Sequence, residues 1–190
     1  SAKAQWGTLT SKLDAKALDA AASKSAHGDI IAANLTLVDH IADGSGLSLD
    51  PVAESYYMMT AAVDHLPRLA EAVEDLHMEG VAALAAKDLT PQGRARLEMA
   101  SHHVHYLQGR SSAQIDKALE LHPDLAKQLA EPSKLAAKHV DDYHELAEQI
   151  AETGKSSVSA ADYAKQGVIA AALQYKTVGL SLDGLNDLLT

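Results

Sequence analysis

The chain has 190 residues, a formal charge of −10 from 26 acidic and 16 basic residues, and no cysteine. The absence of cysteine excludes disulfides and thiolate chemistry, and the absence of a basic stripe argues against nucleic acid and anionic lipid surfaces as partners. Apolar residues make up 47% of the chain but aromatic residues only 4%. Because the apolar residues are mostly Ala and Leu, which favour helices, the composition predicts an all-α protein of about one domain.

The first two predicted helices span about residues 4–22 and 25–41. In the first, four apolar residues share one face: Trp6, Leu9, Leu13 and Ala17. The second is followed by Asp43-Gly44-Ser45-Gly46. Glycine adopts the left-handed conformation that often ends a helix, so this stretch predicts a helix end.

The third predicted helix has the clearest pattern. Asp50 is a good N-cap, and Pro51 would occupy the first helical position, where its missing N–H costs nothing. Apolar residues then recur in steps of four and three, namely Val52, Tyr56, Met59, Val63, Leu66, Ala70, Val73 and His77. This heptad seam is typical of helices packed nearly parallel in a bundle. Pro67 inside the seam predicts a kink, and Gly80 a second bend.

Three further helices complete the prediction. Thr90-Pro91 begins the fourth, which ends near His122-Pro123 because the residue before a proline disfavours helix. A short turn over 124–131 precedes the fifth, at about 133–153, and residues 154–157 form a loop.

Ser159 caps the sixth helix, whose apolar seam reaches the end of the sequence: Ala164, Val168, Ala171, Tyr175, Val178, Leu182, Leu185 and Leu189. A seam without a C-cap indicates a helix cut from something longer. The third and sixth helices would each reach roughly 40 Å. The predicted fold is therefore an elongated antiparallel bundle of about six helices in one domain over residues 1–190, with two stacked four-helix-like modules as the other arrangement.

One segment carries a recognisable motif. It reads Ser45-Gly46-Leu47-Ser48-Leu49-Asp50-Pro51, then Ser55-Tyr56-Tyr57-Met58-Met59, then Leu66-Pro67. The motif resembles the helical periplasmic sensor domains of bacterial sensor histidine kinases and methyl-accepting chemoreceptors. The chain departs from that pattern at Thr60, where the family usually has Asp. Outside the motif only the order of helices, a Trp in the first helix and a last helix directed toward a membrane are similar.

The resemblance implies an extracytoplasmic sensor domain at the periplasmic face of the inner membrane. The domain would lie between two transmembrane helices, with further helix upstream, and would form a homodimer coupled to a kinase or chemoreceptor module. A small ligand, of the organic acid or amino acid class, would bind between helices and displace a helix across the membrane. The sequence also lacks a Gly-x-Ser-x-Gly motif and a phosphate-binding glycine loop. We therefore expect no catalysis in this domain and no cofactor.

Tyr56, Tyr57 and Arg68 are the candidate ligand-binding residues. Tyr56 lies on the heptad seam, which predicts a core position, whereas Tyr57 lies one step off and would face a cleft. Arg68 follows about three turns later on roughly the same face. An arginine beside tyrosines can hold a carboxylate through two hydrogen bonds. The plainer interpretation, a packed tyrosine and a solvated arginine, is the commoner outcome for such a pattern.

Histidine is frequent, with ten residues, and this suggests metal binding as an alternative. Glu98, His102 and His105 fall on one face of the fourth helix and would be close enough to share a divalent ion. That face lies opposite the apolar seam, so solvated side chains are the plainer interpretation.

A second metal hypothesis is a di-metal bundle with oxidase-like chemistry, in which Glu-x-x-His motifs supply the ligands. Glu74 with His77 fits this motif, and Asp141 with His144 fits it loosely. The seams of the second and sixth helices carry no carboxylate that would complete the set. A histidine on a seam is more often a hydrogen-bonded core residue or a pH-sensitive element. A third alternative is an interaction module that responds to a partner protein.

Overall fold

A computed structural model describes residues 2–86 and 88–190 of the chain. The described residues form helices and connecting turns without a strand, which confirms the predicted all-α class. Within these residues, no helix combines the length and the apolar character needed to cross a bilayer. The chain divides into two compact units at Leu47–Ser48, and each is described separately.

The first unit is a helical hairpin. Its helix α1 (Ala2–Asp14) packs against α2 (Ala20–Gly44). Between them Lys16 adopts a left-handed conformation with φ of 51°, and the Asp19 carboxylate caps α2 by accepting from a backbone N–H at 2.7 Å. The prediction of one helix over 4–22 was therefore wrong, because the left-handed turn and the aspartate cap interrupt it.

The predicted face of α1 is buried only in part. Leu9 is buried, whereas Trp6 and Leu13 remain about half exposed. The Trp6 ring meets the His27 ring edge to face, with 6.3 Å between centroids.

The second unit is a four-helix bundle, with helices α3 (Ala53–Met59), α4 (Leu66–Ala85), α5 (Pro91–Leu121), α6 (Pro123–Thr153) and α7 (Ala160–Leu189). A π-helical segment, Thr60–His65, joins α3 to α4, so these elements form one continuous rod. This rod packs on α5 and α7, and α6 packs on the same two helices. Short connections make neighbouring helices antiparallel, as expected for a sequential bundle.

The start of α3 differs from the prediction. The helix begins at Ala53, so Asp50 is not its N-cap and Pro51 lies outside it. The Asp50 carboxylate instead accepts from the backbone N–H of Val52 at 2.9 Å. Aspartate side chains commonly close such a turn two residues ahead. By contrast, the predicted caps of α5 and α7 are confirmed, since the Thr90 and Ser159 hydroxyls each accept a backbone N–H at 3.1 Å.

The π-helical segment accounts for the tolerance of Pro67. In an α-helix the proline ring would clash with the carbonyl four residues earlier. Here the backbone N–H of Leu66 reaches back five residues to the Ala61 carbonyl, which widens the turn just before the proline. Each extra residue rotates the helix face by about 100°. As a result, Tyr56 is 43% exposed and the prediction that it lies in the core was wrong.

Helix α6 also differs from the prediction. It runs unbroken through Pro132, whereas the sequence predicted a separate turn over 124–131 and a new helix from about 133. Leu129 before the proline and Ala136 after it are both buried. Burial of both halves on the same core outweighs the backbone hydrogen bond that the proline removes.

Two glycines allow a pair of tyrosines to fill the bundle core. The Tyr143 and Tyr163 rings are both buried, with 4.6 Å between centroids. A Cβ at Gly80 would overlap the phenol oxygen and ring carbons of Tyr163, and a Cβ at Gly167 would lie 2.7 Å from the Tyr143 hydroxyl. Helix α4 continues past Gly80. The glycine therefore provides room for a ring, and the predicted helix bend is not its role.

The face that α7 presents to the core is not the predicted one. Four residues of the predicted seam are 45 to 57% exposed: Val168, Tyr175, Leu182 and Leu189. Only Ala171 and Leu185 of that seam are buried. The core side carries mostly small and polar residues: Tyr163, Gly167, Ala170, Gln174, Thr177, Ser181 and Gly184. The bundle therefore has a polar interior along part of its length.

Candidate ligand-binding site

Buried polar side chains line the inner faces of two helices of the bundle. Helix α5 contributes Gln108, Ser111 and Gln114, and α7 contributes Gln174, Thr177 and Ser181, none more than 8% exposed. Within the described part of the chain, four of these residues carry an oxygen without a hydrogen-bond partner: Gln108, Ser111, Gln114 and Ser181. Burying an unpaired polar group is costly, so such groups call for a function or a partner.

A cavity of about 180 Å³ lies among these side chains. Its polar wall consists of Gln108, Ser111, Ser112, Ser133, Gln174 and Thr177, and its apolar wall of Leu66, Ile115 and Ala137. The walls thus come from α4, α5, α6 and α7. An engineered cavity of about 150 Å³ in another protein holds benzene. This cavity therefore has room for a small organic molecule.

Hydrogen bonds within the wall determine which atoms remain available. The Gln108 Nε2 donates to the Ser112 hydroxyl at 2.9 Å, and the Gln108 Oε1 is left without a partner. The Thr177 hydroxyl donates to the Leu173 carbonyl at 2.9 Å, so its oxygen can only accept a further bond. The Ser111 oxygen is buried and unpartnered. The wall consequently offers acceptors at Gln108 and Thr177, a rotatable hydroxyl at Ser111, and the Gln174 amide, which can both donate and accept.

Two charged residues, Asp116 of α5 and Lys134 of α6, also line the cavity. Both side chains are exposed to solvent. Their opposite charges leave the cavity lining without a net charge.

The residues predicted to bind ligand lie elsewhere. The Tyr56 and Tyr57 rings meet edge to face at 5.6 Å, and the Lys117 ammonium lies 5.0 Å from the centroid of the Tyr57 ring. The Arg68 guanidinium pairs with the Asp64 carboxylate, with 2.6 Å between Nη1 and Oδ1. Arg68 follows Tyr57 by eleven residues, which is about 16 Å along a helix. None of the three lines the cavity, so they stay a separate candidate site on the surface of the bundle.

The candidate metal ligands do not assemble either. Glu98, His102 and His105 are exposed on α5. The His77 Nδ1 lies 3.6 Å from the Glu74 carboxylate. Over residues 2–86 and 88–190, no three carboxylate or imidazole groups are placed to hold one ion.

Of the two remaining candidate ligands, Asp141 is exposed on α6, and His144 belongs to a hydrogen-bonded cluster between α5 and α6. Its Nδ1 lies 2.6 Å from the Ser101 hydroxyl and its Nε2 3.5 Å from the Glu148 carboxylate, and its ring stacks on His105 at 5.1 Å. Burial lowers the pKa of His144, and the Glu148 carboxylate opposes this shift. Ser101 is only 1% exposed, so the Ser–His–Glu grouping does not present a nucleophile to a substrate. The cluster ties α5 to α6, as expected for a hydrogen-bonded core histidine.

The sequence contains a signal for the cavity that the analysis of apolar seams missed. Ser101, Val104, Gln108 and Ser111 on α5 follow steps of three and four, and so do the polar residues facing them from α7. A polar residue that repeats with the period of the core is a candidate inward position.

Neither a protein-family model, nor a curated protein, nor a solved structure matches this chain.

Proposed function

We propose that this chain is the extracytoplasmic sensor domain of a bacterial membrane receptor, either a sensor histidine kinase or a chemoreceptor, at the periplasmic face of the inner membrane. Its ligand binds in the cavity of the four-helix bundle. The carrying observation is the polar cavity itself, because its buried Gln108 and Ser111 oxygens have no hydrogen-bond partner among residues 2–86 and 88–190. The motif between Ser45 and Pro67 supports the receptor assignment.

The chemistry of the lining favours binding over catalysis. Its inner polar groups are amides and hydroxyls, which form hydrogen bonds but do not activate water or a nucleophile without a neighbouring base. Asp116 and Lys134, the titratable residues of the lining, lie at its solvent-exposed edge.

The position of the cavity suits signalling. Because four helices form its walls, a ligand inside it contacts every rod of the bundle. Leu66 lies directly after the π-helical segment, and Gln174 and Thr177 lie on α7, the helix that would lead toward the membrane. A ligand that binds one packing of these helices more tightly than another shifts the balance between them.

We expect a saturable rise in melting temperature when the full chain is screened against small organic molecules, because a ligand that binds only the folded state stabilises it. Ala137→Leu, which places extra carbon atoms in the cavity, should abolish the rise. Differential scanning fluorimetry provides the measurement, and circular dichroism verifies that the variant folds.

The same screen separates the alternatives. A shift that survives Ala137→Leu but disappears in Tyr57→Ala or Arg68→Ala would place the ligand at the surface tyrosines instead. A shift produced only by divalent metals would support the di-metal hypothesis. No shift across the screen would contradict the sensor proposal and favour a module that responds to a partner protein.

The outward face of α7 supports the homodimer that the resemblance implies. Val168, Tyr175 and Leu182 are exposed and repeat every seven residues, which is the spacing of a helix seam in a coiled coil. Ala172 and Gly179 lie between them and leave room for a neighbouring helix. This strip contains no charged residue that would lose its hydration in an interface. A second copy of the chain, related by a two-fold axis, can therefore pack the same strip against it.

Introducing charge into this strip should prevent dimerisation. We expect sedimentation equilibrium to give a dimer for the unmodified chain and a monomer for Tyr175→Glu/Leu182→Glu, because carboxylates of one sign would be buried at the interface without a cation to pair with. Lys176→Glu, beside the strip on the solvated side, is the matched control and should remain dimeric. A monomeric unmodified chain at all concentrations would contradict this part of the proposal.

A further inference from the structure

We infer that the cavity selects an uncharged ligand that carries hydroxyl or amide groups, such as a small polyol or a small carboxamide. This inference rests on the proposed function, because it specifies what the cavity binds. It departs from the organic acids and amino acids that the sequence resemblance implies.

The buried side chains that line the cavity are uncharged. The buried polar groups of the wall are the neutral side chains Gln108, Ser111, Gln174 and Thr177. A carboxylate moved from water into this wall would lose its hydration without gaining a buried cation, which is strongly unfavourable. Lys134 offsets this penalty only in part, because its side chain is exposed, solvent screens its field, and the lining also contains the opposite charge of Asp116.

Hydrogen bonds within the cavity wall determine which wall atoms can still donate to a ligand or accept from it. The Gln108 amide nitrogen is engaged by Ser112, and the Thr177 hydroxyl hydrogen by the Leu173 carbonyl. Among the lining residues, Gln108 therefore keeps an Oε1 without a partner in the described part of the chain, and the Thr177 oxygen can only accept a further bond. A carboxylate has only acceptors and cannot bond to them, whereas a hydroxyl or an N–H of an amide donates. Gln108 and Thr177 are thus matched to a ligand that brings donors, while the Ser111 hydroxyl and the Gln174 amide can also donate to acceptors of the same ligand, as a polyol or a carboxamide requires.

The volume of the cavity and its apolar side limit the size and shape of the ligand. A volume of about 180 Å³ suits a molecule of roughly six to ten non-hydrogen atoms, by comparison with the cavity of about 150 Å³ that holds benzene. Leu66, Ile115 and Ala137 form an apolar side of the cavity. A short carbon chain can lie against this side while its polar groups face the amides and hydroxyls.

The test compares matched pairs of probes that share a carbon skeleton. Isothermal titration calorimetry on the full chain would use erythritol against tartrate, and succinamide against succinate. We expect at least one neutral member to bind at least tenfold more tightly than its charged counterpart. Gln108→Leu, which removes an acceptor, should weaken that binding at least tenfold, whereas Lys134→Ala should change it less than threefold.

The outcomes separate this inference from the proposed function. Tighter binding of tartrate or succinate, lost in both Lys134→Ala and Ala137→Leu, would overturn the uncharged ligand class and leave the cavity as the binding site. Binding of a neutral probe that survives Ala137→Leu would overturn both, because the probe would then lie outside the cavity. If no probe of either pair binds, the inferred class is wrong, and the wider ligand screen decides the proposed function.

Discussion

Gly80→Ala is expected to destabilise the bundle by at least about 3 kcal/mol, the upper range for overpacking a core. The added methyl would overlap the phenol oxygen and ring carbons of Tyr163. That ring is completely buried, lies tilted against the Tyr143 ring with 4.6 Å between centroids, and donates its hydroxyl hydrogen to the Leu76 carbonyl at 3.3 Å. It therefore has no room to retreat. Urea unfolding followed by circular dichroism measures the loss.

A glycine in an open part of the bundle provides the control. Gly109 lies inside α5 and has no atom within 4 Å of where a Cβ would be. Gly109→Ala should therefore stabilise the bundle by up to about 1 kcal/mol, which is the difference in helix propensity between alanine and glycine. A double-mutant cycle adds a second test: Tyr163→Leu makes room, so Gly80→Ala should cost less in its presence. Equal stability of Gly80→Ala and the unmodified chain would refute the tight contact.

Local features of the helices could be predicted from the sequence. Thr90 and Ser159 cap α5 and α7 as expected, because a cap depends on a side chain and on a backbone N–H three residues away. The end of α5 before Pro123 follows equally from a local clash. The all-α class rests on composition and is similarly independent of distant contacts.

Features that depend on distant contacts were predicted less well. Continuity of α6 through Pro132 depends on the packing of Leu129 and Ala136, which no local rule describes. The exposed position of Tyr56 depends on the π-helical turn, and this turn shifts the register between residues upstream and downstream of it. A continuous heptad drawn through both parts therefore placed Tyr56 on the core face, whereas Met59 of the same seam is buried as predicted.

The apolar seams did not predict the cavity, because it inverts the assumption that the apolar stripe of a helix faces its own core. On α7 the sequence offers two candidate stripes, one with Val168, Tyr175 and Leu182, the other with Gln174, Thr177 and Ser181. Hydrophobicity favours the first as core, yet the structure buries the second. A helix whose polar stripe faces its own bundle, and whose apolar stripe faces outward, fits a domain with an internal polar ligand and an external partner.

Ser111→Ala should raise the free energy of unfolding by about 1–3 kcal/mol and weaken ligand binding. Its hydroxyl is buried and has no partner in the described part of the chain, so removing it relieves a desolvation penalty of that order. The same hydroxyl lines the cavity and would bond to the ligand. Urea unfolding measures the stability gain, and calorimetry with the tightest ligand from the screen measures the binding loss.

Ser181→Ala separates the two effects. Ser181 is also fully buried with an unpartnered oxygen, but it is not part of the cavity wall. Both alanine variants should therefore stabilise the bundle, while only Ser111→Ala should weaken binding. If Ser111→Ala destabilises and Ser181→Ala does not, water in the cavity already satisfies the Ser111 hydroxyl, and a ligand would have to displace that water. If both variants are more stable than the unmodified chain and both bind the ligand as tightly, the unpaired polar groups have no role in recognition. A group that destabilises the fold but serves binding is expected to weaken binding when it is removed.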